Sequence, residues 1–175
     1  MVPVRLRPIR SEDLPVLSAL TNAGPAEDPF NFSGWRATNE IERRFAQNGC
    51  ITEDAGVLAV EDADGTLVGR VDWFAVFHRP GAIGRALNIG IVLLPEHRNQ
   101  GIGTSAQHEF AKYLFANTTV ERLQAGTEDD NQAEQIALGR AGFTREGVSR
   151  HAHFRDGAWR DDVQFSRLRG DPDPA

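Results

Sequence analysis

The sequence predicts a mixed α/β domain, and three observations carry this prediction. An apolar run that begins at Ile89 is typical of a buried strand, and Pro95 ends it because proline has no N–H for a sheet. Apolar residues then recur every four positions, at Ile102, Ala106, Phe110 and Leu114. This spacing indicates one buried face of a helix. Two further strand-like runs flank the turn residues 62–65.

The N-terminal part predicts a strand and two helices. Residues 4–9 alternate apolar and polar side chains, which is typical of a half-buried strand. Ser11 is a favourable N-cap for a short helix with a leucine face, and Thr38 is the expected cap of a second helix. The intervening irregular stretch contains the aromatic residues Phe30, Phe32 and Trp35. These aromatics either line a substrate pocket or plug the open end of the core.

The rest of the chain predicts strands around one more helix. That helix is expected to start at Asp129 or Asp130 and to end at Gly142 as a C-cap glycine. A hairpin turn is expected at 155–157. A single domain is expected over residues 1–170, with a disordered tail at 171–175. The strands are predicted at 57–61, 67–77, 122–127, from 143 onward and at 163–168.

The turn at 98–104 is suited to binding an anion. Glycines at 101 and 103 let the backbone approach a bulky phosphate, and the first N–H groups of the following helix have no partner within that helix. The turn is not a P-loop, because no Gly-Lys-Ser/Thr follows, and Ala106 stands where a dinucleotide-binding fingerprint needs a third glycine. Its spacing alone is also compatible with an ordinary strand-to-helix turn.

Several landmarks in order resemble the GNAT acyltransferase superfamily. Residues 98–103 are similar to its Arg/Gln-x-x-Gly-x-Gly/Ala signature, while 131–133 and 141–143 resemble its second landmark. Residues 146–161 resemble the RimJ/RimL branch of ribosomal-protein N-terminal acetyltransferases. The resemblance implies a GNAT fold, which is a mixed, mostly antiparallel twisted sheet of about six to seven strands with about four helices. The sheet would be splayed open at the cofactor site.

The resemblance also implies a reaction and a set of cofactor contacts. An acetyl group would pass from acetyl-CoA to a primary amine, on either a small molecule or a protein N-terminus, by direct attack in a ternary complex. The edge of the strand at Ile91, Val92 and Leu93 would pair with the pantetheine arm, and the Val92 N–H would polarise the thioester carbonyl. Asn131 would lie beside the arm, cap a helix, or do both. The turn residues implied in cofactor binding are Arg98, Asn99, Gln100, Gly101, Ile102, Gly103 and Thr104.

The sequence departs from the family pattern at the proton-transfer positions. Asn88 stands where many relatives have a glutamate base, and Leu138 stands where many have a tyrosine acid. Asp72, on the neighbouring predicted strand, is the first candidate base, with His78 as the second. Both also fit ordinary surface positions. A second hypothesis follows from these departures, namely a catalytically weak or inactive CoA-binding module with the same fold.

Composition excludes several classes of function. The net charge of −6 disfavours a nucleic-acid-binding surface. The single cysteine, Cys50, excludes an internal disulfide, and the alternating His151 and His153 are expected to face one side without forming a metal site. No apolar stretch is long enough for a membrane span, so we expect a cytoplasmic protein without a metal, with its oligomeric state left open between monomer and homodimer.

Overall fold

A computed structural model describes residues 1–32, 34, 37–79 and 82–174. Within these residues a twisted seven-stranded sheet is flanked by four α-helices. The strands are β1 (Arg5–Pro8), β2 (Ala55–Glu61), β3 (Leu67–Phe77), β4 (Arg85–Leu93), β5 (Arg122–Glu128), β6 (Thr144–Arg155) and β7 (Ala158–Leu168). The helices are α1 (Leu14–Thr21), α2 (Glu40–Asn48), α3 (Ile102–Asn117) and α4 (Gln132–Arg140).

The sheet opens between its two central strands. Its order is β1-β2-β3-β4-β5-β7-β6, and every neighbouring pair is antiparallel except the parallel pair β4 and β5. This pair is joined only where Leu87 and Asn88 lie beside Leu123 and Gln124. Beyond that point β4 and β5 diverge, which confirms the predicted mixed sheet with a splay at its centre. We call the space between them the gap.

Different helices pack on the two faces of the sheet. Leu87 and Ile89 of β4, and Leu123 and Ala125 of β5, belong to the larger apolar core with α3 and α4. Val92 of β4 belongs to a second, smaller core with α1 and α2. Because successive side chains of a strand point to opposite faces, the even-numbered residues of β4 and β5 face the α1/α2 side.

Three predicted helix starts need correction. The N-cap position of α2 is occupied by Asn39 and not by Thr38. Ser11 is not an N-cap, because residues Ser11–Asp13 form a 3-10 turn in which the Asp13 carboxylate accepts the Arg10 N–H at 2.7 Å. The fourth helix starts at Gln132 rather than at Asp129 or Asp130. Asn131 is its N-cap, since the Asn131 side chain accepts the Glu134 N–H at 3.3 Å.

The expectation that His151 and His153 share one side of their strand was wrong. The pairing of β6 with β7 shifts between Ser149 and His153, and His151 has a φ of +50°. This irregularity breaks the alternation of side chains. The His151 ring stacks on Trp159 with centroids 6.2 Å apart, whereas His153 turns toward β5.

The C-terminal tail is held against the domain as far as Pro174. The Arg167 guanidinium donates to Asp173 at 2.6 Å, and the Asp171 carboxylate accepts the Leu168 N–H at 2.8 Å. Asp171 and Asp173 thus have partners on β7, while the disordered tail expected at 171–175 stays a prediction. Local sequence could not reveal this, because the partner Arg167 is itself placed by the packing of β7.

Leu138 on α4 is a core residue. Its exposed fraction is 0%, and it packs with the larger core. Leu138→Ala is expected to lower the free energy of unfolding by about 2–5 kcal/mol because it leaves a cavity. Urea denaturation measures this. Ile136→Ala is the matched control, since Ile136 on the same helix is 54% exposed and its truncation should change stability by about 0.5 kcal/mol or less. Equal effects of the two changes would contradict the prediction.

Candidate active site

The gap exposes one edge of β4. The Leu94 N–H donates to the Val68 carbonyl of β3 at 3.0 Å, and hydrogen-bonded pairs alternate along antiparallel strands. Val92 therefore pairs with Arg70 of β3, and its N–H is not available to a thioester in the gap. The predicted role of the Val92 N–H needs correction, because the main-chain groups that face the gap are those of Ile89, Ile91 and Leu93.

The turn at the mouth of the gap carries a row of free donors. Within the described residues, the N–H groups of 99–104 donate no hydrogen bond, and the first internal bond of α3 runs from Ser105 to Gly101 at 3.2 Å. Asn99 and Gly101 have positive φ angles of 59° and 82°, which shape this turn. An anion would find six successive N–H donors and the positive end of the α3 dipole here.

Arg98 is part of the same turn but holds a different partner. Its Nε donates to the Leu93 carbonyl at 3.0 Å and a terminal nitrogen donates to the Glu27 carbonyl at 3.1 Å. The guanidinium also lies 3.5 Å from the buried Asp28 carboxylate. The Arg98 side chain is therefore engaged with the α1–α2 loop, and the cofactor-binding role implied for Arg98 stays a prediction.

A band of polar side chains crosses the α3/α4 face above the gap. The Asn131 amide donates to Thr127 Oγ1 at 3.0 Å, Asn131 caps Glu134, and the Gln107 amide donates to the Glu134 carboxyl at 3.3 Å. Burial raises the pKa of Glu134 to about 7, with the Gln107 hydrogen bond acting in the opposite direction. We call Gln107, Thr127, Asn131 and Glu134 the polar band. The cap role predicted for Asn131 is present.

The opposite, α1/α2 face of the gap has a polar floor around Asp72. A Cβ built on Gly90 would lie 3.0 Å from Asp72 Oδ1, so this carboxylate lies over β4. Its partner is the Arg70 guanidinium, which holds it by an ion pair. Asp72, Phe74 and residues of α2 line a cavity of about 350 Å³. The cavity lining consists of Glu40, Arg44, Asn48, Cys50, Thr52, Ala55, Asp72, Trp73 and Phe74.

His78 reaches the point where β4 and β5 separate. Its Nε2 lies 2.9 Å from the side-chain oxygen of Gln124, and Gln124 is the register partner of Asn88. A histidine is thus brought close to the strand position at which the expected glutamate base is missing. Asp72 of β3 thus lies over β4, and His78, which follows β3, contacts β5 beside the gap.

Beyond the gap, an ionic cluster holds the end of β5. The Glu128 carboxylate, which is 4% exposed, accepts from Arg155 Nε at 2.6 Å and lies 2.9 Å from His153 Nε2. The other ring nitrogen of His153 lies 3.1 Å from Asp162. The Arg155 hydrogen bond lowers the pKa of Glu128, whereas burial raises that of Asp162. This cluster fixes β5, β6 and β7 relative to one another.

The α1–α2 loop bridges the two sides of the gap. The Arg155 guanidinium lies 5.6 Å from the centroid of the Phe30 ring, while Arg98 holds the same loop near Glu27. The Phe32 N–H donates to the Asp28 carbonyl at 3.1 Å. The structure thus brings Phe30 to the rim of the gap, whereas Trp35 lies outside the described residues.

Comparison with known proteins agrees with this geometry. A family model described as an acetyltransferase (GNAT) domain matches residues 4–144. The chain belongs to the GNAT family. It is 31% identical over 109 residues to the probable N-acetyltransferase YjcK of Bacillus subtilis (strain 168), a match that covers 62% of this chain and 59% of YjcK. The chain therefore spans about three fifths of the length of that relative.

Solved structures share the GNAT fold of this chain. Spermidine N-acetyltransferase from Vibrio cholerae, in complex with CoA and spermine, has a TM-score of 0.82 at 20% identity and covers 96% of both chains. Mycobacterium smegmatis RimJ, in complex with CoA-disulfide, has a TM-score of 0.75 at 24% identity, covering 94% of this chain and 81% of that one. Membership in the family makes this chain an acetyltransferase (GNAT) domain.

Two features of this GNAT site were not found by sequence reasoning. The Glu128 cluster joins residues about 25 positions apart, and no local pattern marks them. Glu134 lies four residues before the buried Leu138, and this spacing places both on one helix face. That signal could have identified Glu134 as a carboxyl on the inner face of α4.

Among the residues that the structure describes, no three His, Cys, Asp or Glu side chains are grouped so that they could hold a metal ion. In the same part of the chain, none of the helices combines the length and apolar character needed to cross a membrane.

Proposed function

We propose that this chain transfers the acetyl group of acetyl-CoA to a primary amine by direct attack in a ternary complex. The observation that carries the proposal is the row of N–H groups at 99–104, which donate to no described residue and lie at the mouth of a gap whose opposite face bears candidate bases. The pyrophosphate would bind the turn, and the pantetheine arm would lie along the open edge of β4. The thioester would then lie near the point where β4 and β5 separate.

The thioester carbonyl needs a donor, and the register of β4 supports a replacement for Val92. The N–H groups of Ile91 and Leu93 point away from β3 and toward the gap. One of them would stabilise the charge that develops on the carbonyl oxygen during attack. The amine would lose its proton to Asp72, with His78 as the second candidate.

For the acceptor, we propose a small cationic amine, with a protein N-terminus as the alternative that the RimJ/RimL resemblance suggests. The cavity beside Asp72 has a volume of about 350 Å³, within the range of small-molecule sites, and Glu40 adds a second carboxylate to its lining. The net charge of −6 favours the approach of a cation. Phe30, Phe32 and Trp35 are proposed to border this acceptor site.

The competing function is a GNAT-fold module that binds CoA without efficient turnover. Asn88 and Leu138 favour it, because neither side chain can move a proton at the two usual positions. We propose a cytoplasmic location for either function, since the single cysteine is free and acetyl-CoA is an intracellular metabolite. A homodimer is compatible with both.

A screen of acceptors tests the proposal. The purified chain is incubated with acetyl-CoA and a panel of polyamines, other small amines and N-terminal peptides. Free thiol is measured by a colorimetric reagent, and acetylated products are identified by mass spectrometry. We expect thiol release that requires a small amine and yields its N-acetyl derivative. CoA binding without thiol release for any amine would instead support the binding module, and turnover of peptides alone would support the N-terminal alternative.

A further inference from the structure

The polar band is unusual for its surroundings. The α3/α4 face of the sheet is mostly apolar, with Phe110, Leu123 and Leu138 in its core. The buried contact between His108 and Arg167 is a second polar feature on this face. Across this face, hydrogen bonds connect Thr127 of β5 to Asn131 and Glu134 of α4 and then to α3. A carboxyl group within such a face is costly unless a cation or a hydrogen-bonding ligand compensates it.

The polar band lies beside the path that the proposed cofactor arm would take. Gln107 lies four residues after Gly103, so the two residues share one face of α3 and are separated by about 6 Å along the helix. Gly103 belongs to the turn with free N–H groups, and Thr127 lies on β5 beyond its pairing with β4. An arm that leaves a pyrophosphate at this turn and enters the gap would pass beside Glu134.

Neighbouring charges do not account for the raised pKa of Glu134. Helix α3 and strand β6 pack against α4. Several of their titratable side chains form pairs that do not include Glu134. These pairs are His108 with Arg167, Glu109 with Lys112, and Glu146 with Arg122. None of these side chains affects the pKa of Glu134, and Arg145 does not affect it either. Burial raises this pKa, and the hydrogen bond from the neutral Gln107 amide lowers it.

We propose that Glu134 is a cofactor-binding residue that acts in its protonated form, so that CoA binds with uptake of a proton from solvent. A neutral carboxyl has one O–H donor and one carbonyl acceptor, which together match the C=O and N–H of a pantetheine amide. The ionised form lacks the donor and would bring a second negative charge close to the pyrophosphate. The inference rests on the cofactor position given under the proposed function.

The sign of the pH dependence follows from this arrangement. If only the protonated form binds, affinity is highest below the free-protein pKa of about 7 and falls above it. Between pH 6 and pH 8 the affinity for the cofactor falls about tenfold. Glu134→Gln retains a donor and an acceptor but cannot titrate, so its affinity should stay near the wild-type value at pH 6 over the whole range. Glu134→Ala should bind more weakly and also without pH dependence.

Calorimetry with dephospho-CoA tests the proposal, because this probe lacks the 3′-phosphate that itself titrates in this range. Affinities are measured for the full chain and the variants at pH 6, 7 and 8, in two buffers with different ionisation enthalpies to count the protons taken up. Glu109→Gln is the matched control, since Glu109 forms a half-exposed pair with Lys112 on α3. Circular dichroism and thermal unfolding check that each variant is folded.

For the wild type and for Glu109→Gln, we expect an about tenfold loss of dephospho-CoA affinity between pH 6 and pH 8, together with proton uptake on binding. We expect neither effect for Glu134→Gln. A flat wild-type profile, or an unchanged pH dependence in a folded Glu134→Gln variant, would overturn the proposal. Absence of dephospho-CoA and CoA binding to the wild type at every pH would remove the cofactor site itself and this inference with it. Intact binding without acetyl transfer would leave the Glu134 proposal standing and overturn only the proposed function.

Discussion

Gly103→Glu is expected to weaken CoA binding by about 100-fold or more. Gly103 lies in the first turn of α3, where the N–H groups of 99–104 have no internal acceptor among the described residues. A glutamate there would oppose the pyrophosphate by charge and would fill the space through which it approaches the backbone. Calorimetric titration with CoA measures the effect.

The structure supplies two matched controls for this substitution. A Cβ at Gly103 would only touch Leu93 Cδ1 at 3.8 Å, an ordinary van der Waals distance, and no positive φ is required there. Gly103→Ala should therefore fold and bind CoA almost normally, and Gly103→Gln separates bulk from charge. Unchanged CoA affinity in a folded Gly103→Glu variant would show that the pyrophosphate does not bind this turn.

Asp72→Asn is expected to lower the turnover number by about 10²–10⁴ and to leave CoA affinity intact. The Asp72 carboxylate lies over Gly90 of β4 and is held by Arg70, so it is oriented toward the proposed path of the amine. An amide cannot accept the proton of the amine. The acidic limb of the pH–rate profile should therefore disappear together with the rate.

Two further variants identify the source of any rate loss. Asp64→Asn changes an aspartate in the exposed β2–β3 turn and should leave the rate unchanged. His78→Asn tests the second candidate, whose ring contacts Gln124 where the strands part. If Asp72→Asn keeps its rate and its acidic limb while His78→Asn loses both, then His78 is the base. If both variants keep them, the proton leaves through water, and catalysis depends mainly on holding the amine and the thioester together.

The sequence by itself determined the elements whose structure depends on local backbone chemistry. Pro95 and the glycines at 101 and 103 sufficed to predict a strand end, a turn and a helix start, because each restricts or frees the backbone at its own position. The β3 bounds Leu67–Phe77 and the first residue of α3, Ile102, agree with the prediction for the same reason. The core position of Leu138 was also predicted, because an apolar side chain stands where many relatives have a tyrosine.

Only the tertiary structure decided which groups face the gap and which partners they have. A shift of one residue in strand register would turn Asp72 to the other face and exchange the Val92 N–H with that of Ile91, and register depends on pairing between distant strands. Likewise, Arg98 lies in the turn as predicted, yet its guanidinium binds a loop some 70 residues away. Glu134 acquires its raised pKa from burial in the folded domain. Such contacts join segments far apart in the chain, so no local pattern of residues encodes them.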